Sequence, residues 1–273
     1  MIRIVTDSSS YLKKSEAAEL GIKVVPLKYS VGSQEYLESF GDQNGDFVYV
    51  LKGNSNFHTS QPNMAAFLSC FEEELSQGNE ILCITISSRL SGTFSTAYIA
   101  SKQTESKKIF VFDSQMTAGG LYLLIKEARK LIGSGKALSE IIKLLPEIRD
   151  RITIAFSVGD MVPLRNSGRI GFVRMGVGTI LNIKPILLCK DGAVVSDSTA
   201  HGNAEMIKRL LSKITKNVKE IVVNYIDNSR VATNLYNVIH ENYSDVPIKL
   251  QKMGPVLGIH LGLQVVAVSF ITD

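Results

Sequence analysis

The side chains that could do chemistry in this chain are hydroxyls in short polar turns between apolar runs. Three such turns follow strand-like runs and precede helix-like ones. They span residues 6–10, 88–93 and 112–114. The carboxyl ends of parallel strands share one edge of a sheet, where helix N-termini offer free N–H groups to a phosphate or carboxylate. Ser91-Gly92-Thr93 is the best candidate, because two hydroxyls bracket a glycine, although ordinary helix caps use the same residue types.

A second polar cluster precedes Pro62, and two more candidates lie in the second half of the chain. The hydroxyls of Thr59 and Ser60 could cap the following helix, hold an anion, or do both. Arg169, in a glycine-rich turn, could pair with a phosphate or a partner's carboxylate, or be a solvated loop charge. His260 lies in an apolar stretch punctuated by glycines and is either a core histidine or a ligand-binding one.

Several kinds of site lack their sequence patterns. The four histidines have no HExxH spacing, and the three cysteines form no CxxC pair, so we expect neither a metal site nor a disulfide framework. A P-loop, a GxGxxG motif and the spacing of a Ser/His/Asp triad are also missing. We therefore expect no cofactor.

Composition excludes other classes of protein. The net charge is only +4 with scattered basic residues, and 45% of the residues are hydrophobic, which gives little support to a nucleic-acid or membrane-surface protein. The longest apolar stretch is too short to span a bilayer, and an acid interrupts the N-terminal run. We expect a cytoplasmic protein.

The elements that must position these residues alternate between strand and helix. In residues 1–150 this alternation predicts an α/β domain with a parallel sheet covered on both faces and a small β insert at about residues 22–56. Residues 151–273 predict an open-faced α+β domain, with the boundary near Asp150. The residues alone thus indicate a two-domain α/β protein that binds a small anionic ligand between its domains.

The strings that carry these residues resemble the DegV family in order and spacing. They are Ile4-Val5-Thr6-Asp7-Ser8-Ser9, His58-Thr59-Ser60-Gln61-Pro62, Ser87-Ser88-Arg89-Leu90-Ser91-Gly92-Thr93, Phe112-Asp113-Ser114, Gly168-Arg169-Ile170, Leu181-Asn182-Ile183-Lys184-Pro185-Ile186-Leu187 and Gly254-Pro255 to His260. The resemblance runs from the first strand to the last.

This resemblance implies a carrier of one long-chain fatty acid, of the palmitate or oleate class, held between the two domains. Such proteins are lipid-binding subunits that present the acyl carboxylate to a separate ATP-dependent kinase subunit, which makes acyl phosphate for phospholipid synthesis. The chain would then be no enzyme itself and would touch membranes at most transiently. The resemblance also implies roles for single residues. Thr59 or Ser60, with Ser91 and the Gly92 backbone, would hold the carboxylate; His260 would lie beside it, and Arg169 would serve the kinase encounter or phosphoryl transfer.

The chain departs from the family pattern at two places. Ser167 stands where the family commonly has glycine, and Leu261-Gly262-Leu263 replaces a Thr-Gly-Pro type of segment after the histidine, which removes a hydroxyl near the head-group site. Two other functions stay open. One is an enzyme domain related to dihydroxyacetone kinase, in which His58 or His260 binds a small carbonyl substrate; the other is a regulatory protein that its ligand merely stabilises.

Overall fold

The computed structural model of the chain describes residues 1–53, 56–169, 182–227 and 229–273. The strands are β1 (Ile2–Asp7), β2 (Ile22–Val25), β3 (Leu27–Val31), β4 (Gln34–Glu38), β5 (Phe57–Ser60), β6 (Glu80–Thr85), β7 (Ile109–Asp113), β8 (Ile152–Ser157), β9 (Ile183–Lys190), β10 (Ala193–His201), β11 (Val218–Tyr225), β12 (Ile248–Lys252) and β13 (Val266–Thr272). The helices are α1 (Lys14–Leu20), α2 (Phe47–Lys52), α3 (Met64–Ser76), α4 (Thr93–Gln103), α5 (Ala118–Gly133), α6 (Leu138–Asp150), α7 (Val162–Asn166), α8 (Gly202–Leu211), α9 (Ser229–Asn242) and α10 (Pro255–Leu261).

Four parallel strands form the first sheet, in the order β2-β1-β6-β7. Successive side chains of a strand point to opposite faces, and successive residues of β1 accordingly belong to different cores. Val5 packs in one core with Phe67 of α3, whereas Ile4 packs in another with Leu121 of α5. Both faces of the sheet are therefore covered by helices, as the alternation of strands and helices predicts.

The small sheet of the structure has other bounds than the β insert predicted at about residues 22–56. The first strand of that predicted range belongs to the main sheet, because β2 pairs in parallel with β1 and places Ile22 opposite Ile4. Pro26, which has no backbone N–H to donate, separates this strand from β3. The insert proper is an antiparallel sheet in the order β4-β3-β5, so it extends to Ser60 and also contains α2. Its last strand, β5, shows no alternation of apolar and polar residues, and its extended conformation comes from pairing with β3.

Six strands form the second sheet, in the order β10-β9-β8-β13-β11-β12, antiparallel except for the pair β11–β12. Helices α8 and α9 cover one face, where Leu210 and Leu235 pack in one core with Ile221. Helix α5 lies against the other face, and a β-carbon on Gly120 would come within 2.5 Å of Ile154 Cδ1. One helix thus packs between the two large sheets and joins them.

A buried polar network strengthens this junction. Asn224 donates from Nδ2 to Gln251 Oε1 at 2.8 Å, and Gln251 Nε2 donates to the carbonyl oxygens of Ser10 and Tyr11 at 3.2 and 3.0 Å. The amide N–H of Gly119 donates to Asn224 Oδ1 at 3.2 Å. These bonds satisfy buried polar groups and link the second sheet to the turn after β1 and to the start of α5.

Two of the motifs quoted above lie partly outside the described residues. They are the Gly168-Arg169-Ile170 string, of which Ile170 is outside, and the 181–187 string, of which Leu181 is outside. Arg169 is the last residue described before this gap.

Candidate functional site

A cavity of about 970 Å³, counting its open mouth, lies where the small sheet, the end of the first sheet and the second sheet meet. Most of its lining is apolar and comes from strands and helices distant in sequence. These residues are Leu27, Ile86, Leu90, Ala118, Ile154, Phe156, Leu164, Val194, Met253, Val256, Leu257, Leu261, Val265 and Ala267. A wall of this composition suits an apolar ligand.

All six residues predicted to form or serve a head-group site line this cavity. They are Thr59, Ser60, Ser91, Gly92, Arg169 and His260. They come from β5, from the turn between β6 and α4, from the end of α10 and from the segment after α7. The structure thus brings these groups together on one side of an apolar space, while their roles toward a ligand stay a prediction.

Thr59 and His260 are joined directly. Thr59 Oγ1 and His260 Nε2 lie 2.7 Å apart and share a hydrogen bond, in which the donor depends on the imidazole tautomer. Thr59 is held by β5, where it pairs with Tyr29 of β3, and His260 by the last turn of α10. This bond therefore connects the small sheet to the helix that closes the cavity.

The imidazole of His260 is neutral at pH 7. Burial, together with the nearby Arg169 guanidinium, lowers its pKa to about 4. Arg169 is itself exposed; its Nη1 donates to the carbonyl oxygen of Ser167, and its Nε donates to that of Leu90 at 3.5 Å. Among the described lining residues, Arg169 is the only charged side chain. The described lining of the cavity therefore carries one positive charge, and the side chain that bears it is exposed.

The turn before α4 offers hydroxyl and backbone groups. Ser91 Oγ and Thr93 Oγ1 lie 2.8 Å apart, and the Thr93 N–H donates to Ser91 Oγ at 3.3 Å. Gly92 is the N-cap and has no side chain to satisfy the free N–H groups of the first turn. A β-carbon on Gly92 would lie 2.8 Å from Gln61 Oε1, so the Gln61 amide occupies the space beside the glycine. This arrangement can donate to a carboxylate.

The other two polar turns serve the fold. The buried Asp7 carboxylate accepts from the Ile86 N–H at 2.7 Å and from Ser9 Oγ at 2.6 Å. Asp113 Oδ1 accepts from the N–H groups of Ser88 and Gln115, each at 3.0 Å. Neither aspartate lines the cavity. The capping interpretation applies to Asp7, which caps the 3-10 turn Ser8–Ser10 by accepting from the Ser9 N–H at 3.0 Å. Asp113 instead holds two loop amides in place.

Sequence reasoning missed the residues that form the wall. Ile154 and Phe156 look like ordinary strand residues, and Val256 and Leu257 like ordinary helix residues, so no local pattern separates them from core. A further polar residue was also missed: Thr117 lines the cavity, and its buried Oγ1 has no hydrogen-bond partner in the described structure. Leu261, one of the two departures after the histidine, lines the wall as well.

The remaining histidine candidate lies outside the cavity. His58 is exposed in a neighbouring cleft that it shares with His260 and with Leu263, the other departure. The described residues hold no cluster of histidine, cysteine or acidic side chains that could bind a metal ion. No helix within the described ranges is long and apolar enough to cross a membrane.

Comparison with known families matches residues 1–273 to DegV, described as "Uncharacterised protein, DegV family". The chain belongs to the DegV family. A DegV domain-containing protein of Halalkalibacterium halodurans is 32% identical over 268 residues, which cover 96% of this chain and 95% of that protein. The resemblance seen in the sequence motifs is confirmed.

Solved DegV structures share the two-domain fold. One is the structure of a DegV family protein from Thermus thermophilus, which was reported with its fatty acid binding. It is 26% identical to this chain with a TM-score of 0.86, and the superposition covers 100% of this chain and 99% of that one. The Fatty Acid Kinase B3 protein of Streptococcus pneumoniae, solved loaded with linoleic acid, is 19% identical with a TM-score of 0.86 and covers 100% of both chains. The DegV fold thus extends over the whole length of this chain.

Proposed function

We propose that the protein binds one long-chain fatty acid, with the acyl tail in the apolar cavity and the carboxylate among Thr59, Ser60, Ser91, Gly92 and His260. The observation that carries this proposal is the shared cavity, which has an apolar wall and a cluster of hydrogen-bonding groups beside one cation. Fatty acid binding by the DegV protein of Thermus thermophilus supports it.

The apolar wall supplies the affinity. At ~0.8 kcal/mol for each buried methylene, a hexadecanoyl tail contributes on the order of 10 kcal/mol before the costs of ordering are subtracted. Ile154, Phe156, Val256 and Leu257 offer no polar group that would need a partner inside the cavity. A small polar carbonyl substrate would gain little from such a wall, so the cavity does not favour the enzyme alternative.

The polar groups match the charge of a carboxylate. An acyl carboxylate that leaves water must regain hydrogen bonds, and hydroxyls and backbone N–H groups supply them without carrying a competing negative charge. The His260 imidazole, which is neutral at pH 7, can donate one N–H to the carboxylate. Because it is uncharged, it needs no counter-ion when the cavity is empty. The Arg169 guanidinium adds positive potential near the mouth.

We further propose that the bound acid is presented to a separate ATP-dependent kinase subunit, so that this chain is the carrier and the partner makes acyl phosphate. The exposure of Arg169 at the rim of the cavity supports a role in that encounter, because a guanidinium can pair with phosphate oxygens. The fold shared with the kinase B3 protein of Streptococcus pneumoniae supports it further.

Native mass spectrometry of the purified protein, followed by extraction under denaturing conditions, tests the binding step. One acyl chain of ~14–18 carbons for each monomer is the expected result. A protein that carries no lipid and also rejects added palmitate and oleate would contradict the proposal.

The carrier step needs a separate assay. Lipid-loaded protein is mixed with ATP and the kinase subunit from the same organism, and acyl phosphate is measured against a reaction with free palmitate. Faster product formation with the loaded protein is expected. Lipid binding without any acceleration would leave a ligand-stabilised regulatory protein as the better description.

A further inference from the structure

A fully buried carboxyl group, that of Glu38, lies at the start of the helix that carries His260. Glu38 is the last residue of β4 in the small sheet, and its side chain has no exposed surface. Its Oε2 accepts from the Val256 N–H at 2.8 Å, and its Oε1 accepts from Ser8 Oγ at 3.1 Å. Ser8 Oγ in turn accepts from the Leu27 N–H at 3.0 Å. The carboxyl thus connects β4, the turn after β1 and the first turn of α10.

The backbone is shaped for this contact. A β-carbon on Gly254 would lie 2.5 Å from Glu38 Oε2, so only glycine lets the chain pass this close to the carboxyl group. Pro255, which follows, has no N–H, and the first amide available to the acceptor is that of Val256.

Helix α10 is therefore attached to the small sheet at both of its ends. Glu38 on β4 holds its first turn, and Thr59 on β5 holds His260 in its last turn. Between these two attachments, Val256 and Leu257 face the cavity. Because the helix has only seven residues, a displacement at its start is transmitted to its end.

We propose that Glu38 is a positioning residue for the head-group site: its acceptor oxygen fixes the start of α10, and this keeps His260 against Thr59 and the two wall residues in place. This proposal rests on the proposed function. It implies that Glu38 contributes to the preference of the cavity for a fatty acid over the corresponding alcohol.

The surroundings keep Glu38 neutral at pH 7. Burial, with a smaller contribution from the charge of Asp7, raises its pKa to about 8, although hydrogen bonds from Val256 and Ser8 act in the opposite direction. A neutral carboxyl still accepts the Val256 N–H bond and adds no negative charge behind the head-group site.

Four variants test the proposal. Glu38→Ala removes the acceptor, Glu38→Gln keeps an oxygen acceptor of the same reach, and Glu38→Asp keeps the carboxyl group on a side chain one methylene shorter. Leu235→Ala is the matched control, because it removes a fully buried side chain of α9 in a separate core. For each folded variant, the affinities for palmitate and for 1-hexadecanol are compared as a ratio, and the His260 imidazole is titrated by NMR.

The expected pattern separates positioning from stability. Glu38→Ala lowers the ratio of acid to alcohol affinity about tenfold and raises the pKa of His260 from about 4 toward its ordinary 6.5. Glu38→Gln and Leu235→Ala change neither quantity. If Glu38→Ala does not fold, Glu38→Asp shows the same two changes to a smaller degree.

Three results would overturn the proposal. The first two are an unchanged acid-to-alcohol affinity ratio together with an unchanged His260 pKa, either in Glu38→Ala or in Glu38→Asp. The third is a Glu38→Gln variant that shows the same changes as Glu38→Ala. The NMR titration needs no lipid. A wild-type protein that binds no fatty acid would therefore end the proposed function and still allow the role of Glu38 to be judged.

Discussion

At the scale of single residues, the candidate site offers neutral hydrogen-bonding groups and one peripheral cation. His260 is kept neutral by burial and by Arg169, Thr59 fixes its ring, and Ser91 orders the turn that carries Gly92. A carboxylate bound there would accept hydrogen bonds from groups already held in place. Hydrogen bonds to a charged group contribute about 1.5–3 kcal/mol each, more than neutral ones do.

This difference predicts a selective loss in the double variant Thr59→Ala with Ser91→Ala. Palmitate affinity should fall at least about 100-fold because two bonds to a charged group are lost, whereas 1-hexadecanol affinity should fall only roughly tenfold because its bonds to the same hydroxyls are neutral and weaker. Displacement of a fluorescent fatty acid measures both. Equal losses for the two ligands would mean that the hydroxyls only maintain the structure.

Arg169→Ala separates binding from transfer. The guanidinium is exposed at the rim and makes its hydrogen bonds to backbone carbonyls, so palmitate affinity should stay within about threefold of the wild type. Acyl-phosphate formation with the kinase subunit should fall at least about tenfold. Arg165→Ala, an exposed arginine outside the cavity lining, is the control. A collapse of palmitate affinity would instead place Arg169 at the head group.

His260 makes the stability of the protein depend on pH. Its pKa is about 4 in the folded protein against an ordinary 6.5, so the folded state binds fewer protons than the unfolded chain between these values. The contribution of His260 to the free energy of unfolding is therefore fully present above about pH 6.5, and it is lost as the pH falls toward about 4. Urea unfolding at several pH values should show a shallower slope in this window for His260→Gln than for the wild type.

Glu38 acts with the opposite sign. Its folded pKa of about 8 exceeds the ordinary 4.5, so the folded state retains a proton that the unfolded chain releases. Its contribution to the free energy of unfolding therefore decreases as the pH rises from about 4.5 to about 8. Glu38→Gln should remove most of this decrease; part remains because burial also raises the pKa of Asp7. A variant whose pH profile superimposes on that of the wild type would show that Glu38 is already ionised at neutral pH.

At the scale of elements, the start of α5 carries the junction between the two large sheets. Gly119 and Gly120 bring the helix so close to the second sheet that a β-carbon on Gly119 would lie 2.4 Å from Asn224 Oδ1 and 2.7 Å from Ser269 Oγ. Both neighbours are buried and cannot move away without breaking the polar network of Asn224. Close packing of this kind leaves no room for a methyl group.

Gly119→Ala should therefore lower the free energy of unfolding by about 1–3 kcal/mol, the usual cost of an added methyl group in a packed interior. Gly133→Ala, in the last turn of the same helix, is the matched control. A β-carbon there would contact only Arg129 Nη1 at 3.9 Å, so this variant should be neutral or stabilised by roughly 0.5–1 kcal/mol. Urea unfolding of both variants measures the difference. Similar values for the two would mean that α5 can move off the sheet.

Elements were predicted from sequence where their signal is local. The buried strand β6 and the amphipathic α3 carry apolar residues at the spacing of a strand and of a helix, and both appear in the structure. Strand β5 and the true extent of the small sheet were not predicted, because Phe57-His58-Thr59-Ser60 has no alternation of apolar and polar residues. Its extended form comes from pairing with β3, a contact that only the folded chain makes.

At the scale of the whole molecule, the cavity is a product of three sheets meeting. Its wall takes Leu27 from the small sheet, Ile86 from the end of the first sheet, and Ile154 and Ala267 from the second sheet. A ligand in this position contacts all three at once. Its binding should therefore stabilise the assembly of the molecule, since a ligand that binds only the folded state adds to the free energy of unfolding.

Removal of bound lipid should lower the stability of the whole protein. At a palmitate concentration about 100 times Kd, restored binding should add about 2.7 kcal/mol to the free energy of unfolding. Thermal unfolding of delipidated protein with and without palmitate checks this, and octanoate, whose short tail fills less of the wall, should have a much smaller effect. A melting temperature that palmitate does not change would contradict fatty acid binding in this cavity.

The sequence by itself determined those properties that short stretches of residues encode. The alternation of strands and helices indicated the α/β class, and the hydroxyl turns at Thr59-Ser60 and Ser91-Gly92 marked candidate groups because helix N-termini favour anions. The DegV resemblance joined these groups to His260 and Arg169. Only the tertiary structure decided that the Ser91 turn faces the cavity while the Asp7 and Asp113 turns do not. It also decided which apolar residues form the wall and that Glu38 meets Val256, because these contacts join residues far apart in the chain and leave no local periodicity.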